Sequence, residues 1–352
     1  MPLYVATRKG LFIVDTRRWS LARPHFLGDP VSAVLAHDGA LYAALNLGHF
    51  GVKLRRSEDG GEHWQELAAP AYPAKPEDSA DNTPWKLAQI WTLEGAGDTL
   101  WAGTIPGGLF RSRDRGESWS LVRGLWDRKE RTEWFGGGYD HPGIHSICIH
   151  PRDARQVSVA VSCGGVWQSG DGGETWRLAA KGMSADYFPP ERKHDENIQD
   201  VHRMVQSPSR PDVYYAQHHN GVFRSADGAA SWQEVTAIAP SKFGFATAVH
   251  PKDADTAWFV PADKDERRLP LEAKLVVART RDGGQSFEVL RRGLPQEHAY
   301  DLVYRHGLAV DETGERLAMG STTGGLWISE DAGDSWRCLS SHLPPIYAVR
   351  FA

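Results

Sequence analysis

Cysteine is scarce in this chain, three residues in 352, and an odd number leaves no complete disulfide framework. Cys148, Cys163 and Cys338 fall in segments that read as strands, so buried thiols in a reducing compartment are expected. Long apolar runs are also missing, and none approaches the roughly 20 residues that a membrane-spanning helix needs. Neither sign of charge dominates. The 40 Lys and Arg against 45 Asp and Glu leave a formal charge of −5, without the clustered basic surface of a nucleic-acid footprint. No basic leader precedes Met1-Pro2-Leu3-Tyr4-Val5-Ala6-Thr7, which already alternates like a strand. These absences predict a cytoplasmic protein that engages neither membrane nor nucleic acid, and they leave the oligomeric state open.

What the chain has in quantity is glycine, 36 residues, and tryptophan, 14, and several of each belong to one recurring pattern. Ser/Thr-x-Asp-x-Gly/Ala-x-x-Trp/Phe occurs six times, at Ser57–Trp64, Ser112–Trp119, Ser169–Trp176, Ser225–Trp232, Thr280–Phe287 and Ser329–Trp336. Successive copies stand 49 to 57 residues apart, a period that signals an array of like supersecondary units. The hydroxyl and the carboxylate can accept bonds from backbone N–H groups in a tight turn. The Gly pairs at 60–61, 172–173 and 283–284 supply positive φ, and the closing aromatic can pack between neighbouring sheets.

Between boxes the grammar repeats. Ile144–Ile149 reads as a strand, His150-Pro151-Arg152-Asp153 as a turn, Val157–Ser162 as a second strand and Val166–Ser169 as a third. The box turn then leads to a fourth strand at Trp176–Ala179. Segments 31–68, 88–123, 201–236, 245–290 and 302–339 scan the same way, which with 144–179 gives six blades. Residues 1–22 read as strands two, three and four of a seventh, with a degenerate box at Asp15–Trp19, and Ile346–Ala352 is available as its first strand. The fold expected is an all-β, seven-bladed propeller in one domain, 1–352, closed by the C-terminal strand pairing into the N-terminal blade.

The box is similar to the Asp-box, or BNR repeat, of sialidases, sortilin-type receptors and the photosystem II stability factor. End to end the chain resembles the single-propeller WD40/YVTN/BNR-like repeat proteins of bacteria in the sialidase-like superfamily. True sialidases carry an Arg-Ile-Pro motif that supplies part of an arginine triad. Here the nearest string is Thr104-Ile105-Pro106, and neither the triad nor a tyrosine–glutamate nucleophile pair can be placed, so sialidase activity is not expected. Large Asp-box glucanases use two propellers with a cleft between them, whereas one is legible here.

Box turns join strands three and four, so long and diverse loops such as 69–87, 124–143 and 181–200 fall at the opposite ends of the strands, where binding residues gather on a rigid scaffold. His37, His63, His150, His250 and His306 belong to repeated turns or strands and read as structural. The other ten of the 15 histidines, His25, His49, His141, His145, His194, His202, His218, His219, His298 and His342, lie on the elaborated side. His145 and His202 occupy equivalent positions at the start of inner strands, and convergent imidazoles are what a metal site or an acid–base pair requires.

The candidate catalytic residues are His145 and His202, oriented by Asp140 and Asp200. His49, His145, His202 and His218 are the candidate ligands of one divalent transition metal such as zinc, copper, manganese or iron. Arg8, Lys9, His49, Trp134, His218, His219, Arg267 and Tyr300 are the candidate substrate contacts, Trp134 opening an aromatic and Gly-rich run to His145. The expectation is an enzyme, a hydrolase or lyase, that takes a small polar substrate, sugar-like or anionic, with metal- or His-assisted chemistry. The competing expectation is a non-catalytic propeller that engages a protein segment.

Overall fold

The computed structural model describes residues 1–79 and 81–352, arranged as seven four-stranded antiparallel sheets, a seven-bladed β-propeller. Two compact units contain them. One unit, residues 29–180 and 195–201, holds the sheets beginning at Val31, Gln89 and Ile144. In it the first strands Val31–His37, Gln89–Ala96 and Ile144–Ile149 lie side by side, so each buries its inner face on the next. The other unit, residues 1–28, 181–194 and 202–352, holds the remaining sheets. There Gly244–Val249, Leu308–Val310 and Ile346–Phe351 are neighbours in the same way.

The first sheet is ordered Ile346–Phe351, Pro2–Thr7, Gly10–Asp15, Ser20–Leu21. The last strand of the chain pairs antiparallel with the first, Val5 opposite Val349 and Ala6 opposite Ala348. Ile346 and Val349 are buried there with Leu3, Val5, Trp19 and Leu326, a core shared by the first and last sheets. The last sheet starts later than the pattern suggests, at Leu308, because the chain turns at Tyr304–Gly307 before the ladder begins.

Every box makes the same turn. In the second copy the Ser112 hydroxyl donates to Asp114 Oδ1 at 2.7 Å and accepts from Gly116 N–H at 2.8 Å. Asp114 Oδ1 also accepts from Ser118 N–H at 2.9 Å, and Oδ2 from the Ser118 hydroxyl at 2.5 Å. Thr175, Ser231, Ser286 and Ser335 repeat that last contact, and His63 replaces it with an imidazole at 2.7 Å. The hydroxyl just before the aromatic is therefore part of the device. Its aromatics go where the repeat requires: Trp176 packs with Trp101 and Val157, and Trp336 with Trp258 and Leu317, each between two sheets.

Two cysteines depart from expectation. Cys148 is a buried strand residue, but Cys163 sits in the turn after Val157–Val161 at φ +48, and Cys338 is exposed on Arg337–Ser340. Among the described residues none of the three is in a disulfide. No described helix is long and apolar enough to cross a membrane.

Removing residues 346–352 strips the buried Ile346, Ala348 and Val349, of which Ile346 and Val349 are each worth about 1.5–3 kcal/mol, and bares the edge of Pro2–Thr7. The truncated chain should aggregate or lose its cooperative thermal transition; an unchanged melting temperature would contradict this closure. A second expectation concerns acid. The hydroxyl four residues on, with the N–H groups of the turn, holds the carboxyls of Asp114, Asp171 and Asp282 at about 2. Their folded values lie below the unfolded value of about 3.9, so their contribution is complete above pH about 4 and is lost as pH falls toward 2. Urea midpoints should fall across that window, and Asn at the three positions should flatten the fall.

Candidate active site

His202 is the second residue of Val201–Gln206, a first strand, and its ring is fixed from several sides. Its Nδ1 lies 2.6 Å from the Gly244 carbonyl oxygen. A carbonyl can only accept, so Nδ1 carries the proton and Nε2 of the neutral ring holds the lone pair. The imidazole stacks on Phe245 at 4.3 Å and 13°, meets Phe243 edge-on at 5.7 Å, and is 2% exposed. Gly244 opens the strand Gly244–Val249, and a Cβ there would stand 2.7 Å from the Val260 carbonyl oxygen. Glycine at 244 therefore lets two aromatic residues flank a carbonyl that points at an imidazole.

His219 follows Tyr214–His218, a second strand, and its ring centroid lies 5.6 Å from that of His202. Ring nitrogens of the two lie within 4.8 Å of each other. His219 also contacts Phe243 at 5.8 Å and Tyr187 at 5.0 Å, and Tyr187 is exposed, so an aromatic path runs from the surface to the buried imidazole. Two guanidinium groups lie over Phe245, Arg268 at 5.4 Å and Arg305 at 5.5 Å. Arg305 is buried, and Arg268 donates to Asp265. The surroundings of the histidine pair are thus aromatic, with guanidinium groups on Phe245 and the Asp200 carboxylate among the nearest polar groups.

His218, one residue before His219, plays a different part. It is fully buried, edge-on to Phe223, and its Nδ1 accepts from Asn220 N–H at 3.0 Å. That bond occupies one lone pair and leaves the proton of the neutral ring on Nε2, so His218 closes a turn. The repeated-turn histidines behave alike: His150 Nδ1 accepts from Arg152 N–H, and His250 Nδ1 from Lys252 N–H and Asp253 N–H.

Within the unit of residues 29–180 and 195–201, His145 is fully buried, 2.9 Å from the Ser146 hydroxyl and edge-on to Trp91. Trp91 in turn supports the exposed Tyr139 at 5.0 Å. Trp134 is buried on Trp167 and donates to Asn197 Oδ1 at 2.8 Å, which makes it an anchor of its loop and not a platform. Asp200 is buried and Asp140 exposed. His49 is exposed on a short 3-10 turn beside Phe50.

Other predicted contacts are scattered. Arg8 and Lys9 are exposed in the turn between the first two strands of the chain, Tyr300 is exposed, and Arg267 is ion-paired to Asp263. His202, His218 and His219 belong to one compact unit, whereas His49 and His145 belong to the other. Phe243, Gly244, Phe245, Arg268, Arg305 and Tyr187 surround the candidate histidine pair and were not revealed by the histidine pattern. The aromatic-Gly-aromatic string at a strand start is the signal that could have exposed them.

Residues 81–85 and the loop at 124–143 are tied together. Arg131 pairs with Asp81 at 2.7 Å, both side chains under a tenth exposed, and lies 3.9 Å over the Trp126 ring. Trp85 Nε1 also donates to Asp81 at 2.8 Å. Burial alone would push the Asp81 carboxyl up, but Arg131, Trp85 and the Thr83 N–H together hold it at about 2.

No protein-family profile matches the chain. It is 27% identical over 199 residues, 49% of its length, to a xyloglucanase of Paenibacillus sp., and 29% identical over 163 residues to the xyloglucanase Xgh74A of Acetivibrio thermocellus. In each case it spans 18% of the relative's length. Among solved structures it is similar to the GH74 xyloglucanase of Xanthomonas campestris, TM-score 0.66 at 16% identity, covering 96% of this chain and 52% of that one. It is also similar to YCF48 bound to D1 peptide, TM-score 0.53 at 14% identity, covering 88% and 81%. The class these likenesses define is the β-propeller, with glycoside hydrolases among its relatives.

Replacing Arg131 with Ala leaves Asp81 buried without its cation, at a cost of about 3–5 kcal/mol. Chemical denaturation measures it, and a loss below about 1 kcal/mol would show that the pair does not hold these loops.

Proposed function

We propose that this protein is a hydrolase of a polar, sugar-like substrate, with its reaction centre at His202 and His219. The observation that carries the reading is the fixed His202 imidazole, its Nδ1 proton committed to Gly244 and a second imidazole 5.6 Å away. A base with its lone pair on Nε2 can take a proton from water, and His219, protonated, can deliver one to the leaving oxygen. Aromatic faces at Tyr187 and Phe243 suit the apolar face of a sugar ring. The named xyloglucanase relatives support a saccharide over other polar rings.

The test is a panel of neutral and acidic oligosaccharides, scored by reducing-end release and by thermal shift. For the substrate turned over, His202→Ala and His219→Ala should each lower kcat/KM by about 100-fold or more. Turnover that survives the double substitution in a folded protein would overturn the assignment. Binding of a protein segment with no saccharide response would replace it with a recognition role.

A further inference from the structure

We infer that His202 and His219 hold a divalent transition-metal ion, with Asp200 as the carboxylate ligand. The inference rests on the site proposed above but not on the reaction assigned to it. A metal-bound histidine usually donates its other ring N–H to a carbonyl or carboxylate, which fixes the tautomer and raises ligand basicity. His202 does this: Nδ1–H is held by Gly244 O, and the stack on Phe245 sets the plane of the ring. The second imidazole is close enough. On a tetrahedral ion with bonds of 2.0–2.1 Å, two nitrogens stand about 3.3 Å apart. Those of His202 and His219 are already within 4.8 Å, and His219, partly exposed at a turn, is the side chain that can rotate to close the difference.

The third ligand comes along the chain. Asp200 precedes His202 by two residues at the entry to Val201–Gln206, and a two-residue step returns a side chain to the same face of an extended strand. Asp200 is buried, and a carboxylate oxygen of it lies within 4.8 Å of ring nitrogens of His202 and His219. Two imidazoles, one carboxylate and an open position form the donor set of a catalytic zinc-type site. His218, whose Nδ1 is taken by Asn220 N–H, is not among them. An ion on His202 Nε2 would make a bound water the base, poised to lose its proton near neutral pH.

The experiment uses the untagged full chain, stripped with chelator and titrated with Co²⁺ and with Zn²⁺, read by elemental mass spectrometry, cobalt visible absorption and thermal shift. About one ion per chain is expected, with a tetrahedral cobalt band and a raised melting temperature. His202→Gln, His219→Ala and Asp200→Asn should each weaken binding about tenfold or more, whereas His342→Ala, an exposed histidine elsewhere, should bind as the wild type does. Gln at 202 keeps the volume of the buried ring, so its folding can be verified independently by melting. No bound ion in wild type, or unchanged affinity in the His202→Gln/His219→Ala double variant, would overturn the inference. Saccharide turnover by a wild type that binds no metal, lost in the His202 and His219 variants, would overturn the ion and leave the acid–base reading standing alone. Stoichiometric metal without turnover would uphold the ion and remove the reaction.

Discussion

The turn between the third and fourth strands is the constraint on which this architecture depends. Seven residues, 113–119 in the second copy, must reverse the chain and still deliver an aromatic side chain into the space between two sheets. One carboxylate and one hydroxyl make that possible by accepting the N–H groups that the reversal strips of partners, as Ser112 and Asp114 do for Gly116 and Ser118. With the turn fixed, Trp176 and Trp336 reach their places between sheets, and the sheets gain the contact that a single twisted sheet lacks. The first sheet uses the same logic with a weaker box. Asp15 Oδ1 accepts from Arg17 N–H, Trp19 takes positive φ, and the pairing of Ile346–Phe351 supplies the remaining support.

A scaffold fixed at one end of its strands leaves the other end open to elaboration. His202, Gly244 and His219 all stand there, at two strand starts and one turn between second and third strands. Their order comes from the sheets beneath them. The first strands beginning at Val201 and Gly244 bring an imidazole and a carbonyl to 2.6 Å, and the adjacent ladder carries His219 to the same place. Two neighbouring histidines therefore divide their labour by position. His218, still in the strand, turns inward on Phe223 and closes its own turn; His219, just beyond it, faces the imidazole of His202.

The fold was legible because its signal is local. Eight residues contain every donor and acceptor of a box turn, so the pattern carries its own geometry, and six copies fix the period. The closing strand was legible for a related reason: one sheet was short of a strand and one β-segment was left over. The site was only half legible. His202 and Asp200 could be placed from strand alignment, but the partner of His202 depends on a hydrogen bond to Gly244, 42 residues away, and no local pattern reports it. Trp134 failed as a platform for the same reason, since its burial depends on Asn197, 63 residues on. Cys338 was misjudged because Arg337–Ser340 is a fourth strand, whose outer face meets water.

Charge chemistry bears on the choice of an imidazole pair, and not the aspartates of the repeat, as the proposed centre. Glycoside hydrolysis in most families needs one carboxyl that holds a proton at working pH beside one that does not. The aspartates of this repeat are unsuited to the first role: their turns supply several donors each and keep the carboxyls of Asp114, Asp171 and Asp282 at about 2. A group so strongly ionised neither gives nor retains a proton near neutrality. Asp81 is committed in the same way to Arg131 and Trp85. Histidine needs no such displacement, because its ordinary pKa already lies near neutrality. The box that builds the propeller thus spends its aspartates on structure, which leaves the proposed chemistry to residues the repeat does not use.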